Sequence, residues 1–241
     1  MRSDLPRVPI LMYHRIARPE AHSTVRGHYV PPRLFARQMK AMARLGYRAA
    51  PISQVFASDD PLPQKPFCVT FDDGYENFAT NALPSLQRLG FTATVFLVTE
   101  MVDKDNAWDA DRGDVRERLL TREQIAACQA AGTEFGSHTL THADLTSCPK
   151  DEAWRQISES KSAVEKITGR PAVSFCYPYG RFTSETREMV EKAGYSLACA
   201  TLKGLNTRDT DRFALKRINV RRDTTVLVLL MKLLRGAYLG R

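Results

Sequence analysis

The sequence predicts an α/β fold, a single domain over residues 1–241 built on a parallel sheet. Three observations carry that reading. Short apolar, β-branched runs alternate with amphipathic helical patterns along almost the whole chain. Most helical patterns end on a glycine (Gly46, Gly90, Gly132, Gly169, Gly194), the residue that accepts the left-handed position after a helix. The length of 241 residues, 43% hydrophobic and 26% charged, suits one large core and excludes a disordered, collagen-like or membrane-bundle chain. Alternation by itself leaves a closed barrel and an open doubly wound sheet equally available.

In chain order, the first strand is read at 8–13, where VPILMY is apolar up to a histidine. A helix follows at 32–45, then a strand at 67–71 and a helix at 77–89 ending before Gly90. The strand at 92–98 leads to a helix at 122–131, which Thr121 opens as a cap. Strand 134–137 precedes the long helix 151–168, and strand 172–177 precedes helix 184–193, where Ser184 before Glu185 marks the start. Strands at 196–200 and 213–217 and a last helix at 225–234 complete the series, about seven strands in all.

Five cysteines, with no Cys-x-x-Cys pair, fit neither a disulfide framework nor a zinc ribbon and read as buried thiols. The opening MRSDLPRVPILMYHRI has no uninterrupted apolar stretch of the secretory type, and no segment approaches the ~20 apolar residues of a spanning helix. The expected location is therefore cytoplasmic. Net charge is +8, and residues 211–241 carry eight Lys/Arg against two Asp/Glu, so +6 of it lies there. Residues 224–241 thus read either as the last core helix or as a basic, apolar segment for an anionic membrane surface. Aromatic rings are not interleaved with these cations, so no nucleic-acid partner is expected.

Polar residues that follow the strands of a parallel sheet sit at its carboxyl edge, where sites form. Four strand ends carry chemistry: His14, Asp72-Asp73-Gly74, His138 with His142, and Pro178-Tyr179-Gly180. Adjacent carboxylates at a strand end point to different sides, so one can bind a cation while the other faces a reactant; Asp-Gly taken alone also marks an ordinary turn. His138 and His142, spaced i, i+4 on one helical face, read either as a chelating pair or as two surface or capping histidines, and their clustering at a strand end favours the pair. Two neutral imidazoles and one carboxylate leave open positions on a zinc-like ion, the requirement of a catalytic site.

On these motifs the sequence resembles the polysaccharide deacetylases that share the NodB homology domain (carbohydrate esterase family four). TFDDG at 70–74, SHTLTH at 137–142 and YPYG at 177–180 correspond in order and spacing to that family's first three motifs. LMYHRI and LKRINV resemble the branch that includes poly-β-1,6-N-acetylglucosamine deacetylases. The resemblance implies a distorted (β/α) barrel holding one divalent metal, most often zinc, with cobalt or nickel as alternatives. It implies Asp72 as general base and Asp73, His138 and His142 as metal ligands. It also implies the backbone N–H of Tyr179 as a donor to the developing oxyanion.

Two positions depart from the family pattern. Cys176 stands two residues before Pro178, where an arginine would orient the base, and Arg217 is the candidate replacement. No histidine follows His142, so the late Leu-x-His acid is missing and His14 becomes the candidate acid. Trp108, in the loop 99–120, is read either as a sugar-stacking ring or as packing. The function expected is metal-dependent removal of N-acetyl groups from an amino sugar of a polysaccharide, oligosaccharide or lipid-linked glycan. A deformylase of a formamido-sugar lipid and a non-catalytic glycan-binding relative are the alternatives.

Overall fold

A computed structural model describes residues 6–59 and 61–238. The strands are β1 (Ile10–Tyr13), β2 (Arg48–Ala49), β3 (Pro66–Phe71), β4 (Thr94–Leu97), β5 (Glu134–Ser137), β6 (Ser174–Cys176), β7 (Leu197–Cys199) and β8 (Ile218–Asn219). The helices are α1 (Pro32–Arg44), α2 (Ile52–Phe56), α3 (Leu83–Gln87), α4 (Arg122–Ala130), α5 (Lys150–Thr168), α6 (Ser184–Lys192) and α7 (Val226–Tyr238). Every strand pair is parallel, in the order β7-β6-β5-β4-β3-β1-β8, with the short β2 added to the start of β3.

The two ends of this sheet are joined by one segment. Leu215 pairs with Cys199 and exchanges backbone hydrogen bonds with Ala198 and Ala200 beside β7, and three residues later β8 pairs with β1. The result is a distorted (β/α) barrel closed along that seam. The expected strand at 213–217 is therefore displaced: its residues bridge two strands, and only Ile218–Asn219 make a ladder.

Strand alternation decides what reaches the inside. Ile10, Cys68, Phe96, Cys176, Leu197 and Cys199 pack in the barrel interior, while Leu11, Tyr13, Val69, Phe71, Val95, Phe135 and Phe175 face the helices. Continuing the inward series in steps of two delivers His14 after β1, Asp72 after β3 and His138 after β5 to the carboxyl mouth. The six residues of β3 are all buried, as a strand covered on both faces requires.

The helices obey local rules with two adjustments. Capping boxes hold Thr121 with Gln124 and Thr183 with Thr186, so α6 is capped one residue earlier than Ser184. Residues 77–89 are not one α-helix: a π turn over Phe78–Ala82 precedes α3. Pro84 has no N–H to offer the Thr80 carbonyl, which widens the turn before it. Four cysteines are buried, Cys148 is half-buried, and all five are free thiols. Among the described residues no helix is long and apolar enough to cross a membrane. Within α7, Leu229 and Leu233 are buried, and Gln38 of α1 hydrogen-bonds the Thr224 carbonyl at its foot; residues 239–241 of the expected basic tail lie outside the described residues.

Candidate active site

The carboxyl ends of β1, β3, β5 and β6 converge on a cavity of about 350 Å³. His14, Asp72, Asp73, Trp108, His138, His142 and Tyr179 all line it, and Pro178, buried at the head of its turn, does not.

After β3 the chain turns through two left-handed residues, Asp73 (φ 73°) and Gly74 (φ 75°). The turn sends the paired carboxylates to different partners. Asp72 receives the Arg217 guanidinium as a two-pronged fork, Nη1 to Oδ1 at 2.7 Å and Nη2 to Oδ2 at 2.8 Å. Arg217 is itself buried and donates from Nε to the Ala200 carbonyl, from Nη1 to Thr70 and from Nη2 to Cys176. Burial would raise the Asp72 carboxyl, but the Arg217 charge, with His14 beside it, outweighs burial and holds it well below the ordinary range.

Asp73 faces the histidines, with Oδ1 3.5 Å from His138 Nε2 and 3.4 Å from His142 Nε2. That oxygen is buried and accepts no hydrogen bond from the described residues. Burial raises the Asp73 carboxyl, and the neighbouring Asp72 and Asp109 charges raise it further against the opposing pull of Arg15 and Arg217. His138 Nδ1 lies 2.7 Å from the Cys176 carbonyl, to which it donates, leaving the Nε2 lone pair turned toward Asp73. One nitrogen from each ring and one carboxylate oxygen lie within 4.8 Å of one another. An orphaned anionic oxygen between two such nitrogens fits a divalent ion of zinc type. A second group, Asp72 with His138 and Cys176, is as compact. It fits less well, because Asp72 is taken by Arg217 and burial pushes the Cys176 thiol up.

The histidine pair does not sit on a helix. Residues 138–142 form an irregular turn, with Thr139 (φ 69°) and His142 (φ 64°) in the left-handed region. Thr139 Oγ1 accepts from the His142 N–H, and Gln156 of α5 accepts from the N–H groups of Leu140 and Thr141. Tyr179 is left-handed as well (φ 57°), and its ring meets His142 edge-on at 4.7 Å. Non-glycine residues in this region are uncommon, and a β-branched one is a strong outlier. Four of the five such residues in the described chain belong to this site, where the surrounding bonds hold the strain.

His14 Nε2 stands 3.9 Å from Asp72 Oδ2, and its ring stacks on His28 at 4.3 Å. Burial lowers the His14 imidazole well below its ordinary value, the His28 ring adds to this, and Asp72 opposes it. His28 is a contact that the sequence left unassigned, since nothing in its loop marks it.

Trp108 stacks on the His142 ring at 4.9 Å and 22°. Its loop is anchored by Arg15, the residue after His14. The buried Arg15 guanidinium donates to Asp109, Asp114, Tyr29 and Tyr75. Asp109, Thr201 and Asn219 also line the cavity, and no local sequence signal distinguishes them.

Comparison with known proteins gives concordant results. The polysaccharide deacetylase family profile matches residues 59–198. YxkH of Bacillus subtilis (strain 168) is 28% identical over 217 residues, 89% of this chain and 71% of that one. The poly-β-1,6-N-acetyl-D-glucosamine N-deacetylase of Staphylococcus epidermidis is 24% identical over 171 residues, 67% of this chain and 57% of its own length. Among solved structures, the Streptococcus pyogenes deacetylase PplD in complex with acetate superposes with a TM-score of 0.81 at 25% identity, covering 95% of this chain and 98% of that one.

Proposed function

Because the chain belongs to the polysaccharide deacetylase family, we propose that it hydrolyses the N-acetyl amide of an amino sugar in a glycan, releasing acetate and a free amine. The observation that carries this reading is the juxtaposition of an arginine-clamped carboxylate with a three-residue metal cradle in one cavity. The similarity to the staphylococcal enzyme supports a β-linked N-acetylglucosamine chain as the substrate class.

Asp73, His138 and His142 would hold a divalent ion, which when bound supplies Lewis-acid polarisation of the acyl group and a water of lowered pKa. Asp72 is the base. The Arg217 fork fixes both of its oxygens and keeps it ionised, so the carboxylate is present to take the proton of the attacking water. His14 is the acid. Burial and the His28 ring keep its imidazole neutral at rest, so it relays the proton that Asp72, 3.9 Å away, takes from the water and delivers it to the nitrogen as the C–N bond breaks. Tyr179, at the left-handed corner of its turn, is the proposed oxyanion donor through its backbone N–H. Trp108 and Tyr179 flank His142 and bound the space a sugar ring would enter.

The test is acetate release from N-acetylglucosamine oligomers by chelator-treated protein with zinc, cobalt or nickel restored. Metal-dependent acetate that falls ~10²–10⁴-fold in Asp72→Asn is the expected result. Stoichiometric metal binding without acetate from any acetylated glycan would refute the activity, and loss of metal binding only on mutation away from Asp73, His138 and His142 would refute the site.

A further inference from the structure

We infer that the face formed by α1 and α7 is a docking surface for an anionic lipid bilayer, with α7 lying in the interface rather than crossing it. This rests on that face alone and does not depend on the deacetylase reading.

Helix α1 has thirteen residues and none is acidic. Arg33, Arg37, Lys40 and Arg44 are all exposed, and at 100° per residue they form one narrow stripe along the helix. Among the described residues none of the four has a carboxylate within ion-pair distance. Beside the stripe runs α7. Its Leu229 and Leu233 are buried, yet Leu227 is 67%, Met231 41% and Leu234 63% exposed. With Val226 and Leu230 these positions span a continuous arc of about 140° on the helix. The arc begins in a groove that Val226 and Leu230 share with Arg37, Arg44 and Leu45, so cations and leucines belong to one surface. Leu45 at the end of α1 is exposed too, at 46%, and four of the six large apolar side chains exposed among the described residues lie here.

A contiguous apolar ridge flanked by unpaired arginines and lysine matches the two layers of a membrane surface. The ridge enters the acyl boundary by roughly 5–10 Å while the cations meet anionic headgroups. A second copy of the chain fits poorly, because a two-fold contact would set Arg37, Lys40 and Arg44 against their own equivalents. Nucleic acid fits poorly as well, since the exposed ridge of leucines and methionine has no ring on which a base would stack.

Co-sedimentation with vesicles tests it, comparing phosphatidylcholine alone with phosphatidylcholine mixed with phosphatidylglycerol, at low and high salt. The expected result is partition onto the anionic vesicles only, weakening with salt. The triple variant Arg37→Gln/Lys40→Gln/Arg44→Gln is expected to lose about 100-fold in partition. Leu227→Asn/Leu234→Asn is expected to lose about 10-fold or more with an unchanged melting temperature, both sites being exposed. No binding to anionic vesicles at low salt, equal binding to neutral ones, or indifference to both variants would overturn the assignment. So would a solution dimer that the same substitutions dissolve.

Discussion

Arg217→Met tests the central geometry without reference to any substrate. In the folded protein this guanidinium is buried and donates to both oxygens of Asp72 and to the Ala200 carbonyl. Removing one partner of a buried pair leaves the other ionised and unsolvated, a cost of about 3–5 kcal/mol. For a domain whose whole stability is of order 5–15 kcal/mol that is a large share. At about 2–4 °C per kcal/mol for a chain of this size, the melting temperature should fall by about 6–20 °C. Replacing both partners, as Arg217→Met/Asp72→Leu, leaves no orphaned charge and should restore most of the loss. Thermal melts of the parent, each single variant and the double close the cycle. A fall below about 2 °C in Arg217→Met, or a double variant as unstable as the sum of the singles, would refute the claim that these side chains act as a buried pair.

Three further expectations follow from the same structure. His14→Ala should lower kcat by about 10²–10⁴-fold with metal content unchanged, because the imidazole faces Asp72 and is no part of the metal cradle; unaltered kcat would remove it as the acid. Arg15 should govern the loop that carries Trp108: in a Trp154→Phe background, Arg15→Met should shift Trp108 emission to the red and raise KM more than it lowers kcat, and unchanged emission would deny the coupling. That loop should also loosen in acid. Burial pushes Asp114 up, but hydrogen bonds from Ser23 and Arg15 outweigh it and hold the carboxyl below its ordinary 3.8. A depressed folded value gives stability that is present above the unfolded value and lost as pH falls through the folded one, so the Trp108 emission should redden below about pH 4.

The sequence displays the site far better than it displays what supports it. TFDDG, SHTLTH and YPYG are local, and strand periodicity alone carries Asp72, His138 and His14 to one mouth. Arg217 is 145 residues from Asp72, and only the register of β8 against β1 brings them together. Nothing local marks Arg15, and its acidic partners arrive from a loop more than 90 residues onward. The spacing of His138 and His142 suggests a helical face, whereas strained left-handed residues produce the same closeness of the rings. In each case the missing information lies in a contact between distant segments, which local propensity does not encode.

The seam that closes the barrel is also the support of the proposed base: Arg217 lies between Leu215, paired beside β7, and β8, paired with β1, and it grips Asp72 from there. Architecture and chemistry are therefore inherited as one unit. A lineage that abandons hydrolysis is not free to discard Asp72 first, since the arginine left behind would strain the closure of the sheet. Inactive descendants of this chain should keep both residues or exchange both for apolar ones, and the pair should drift together.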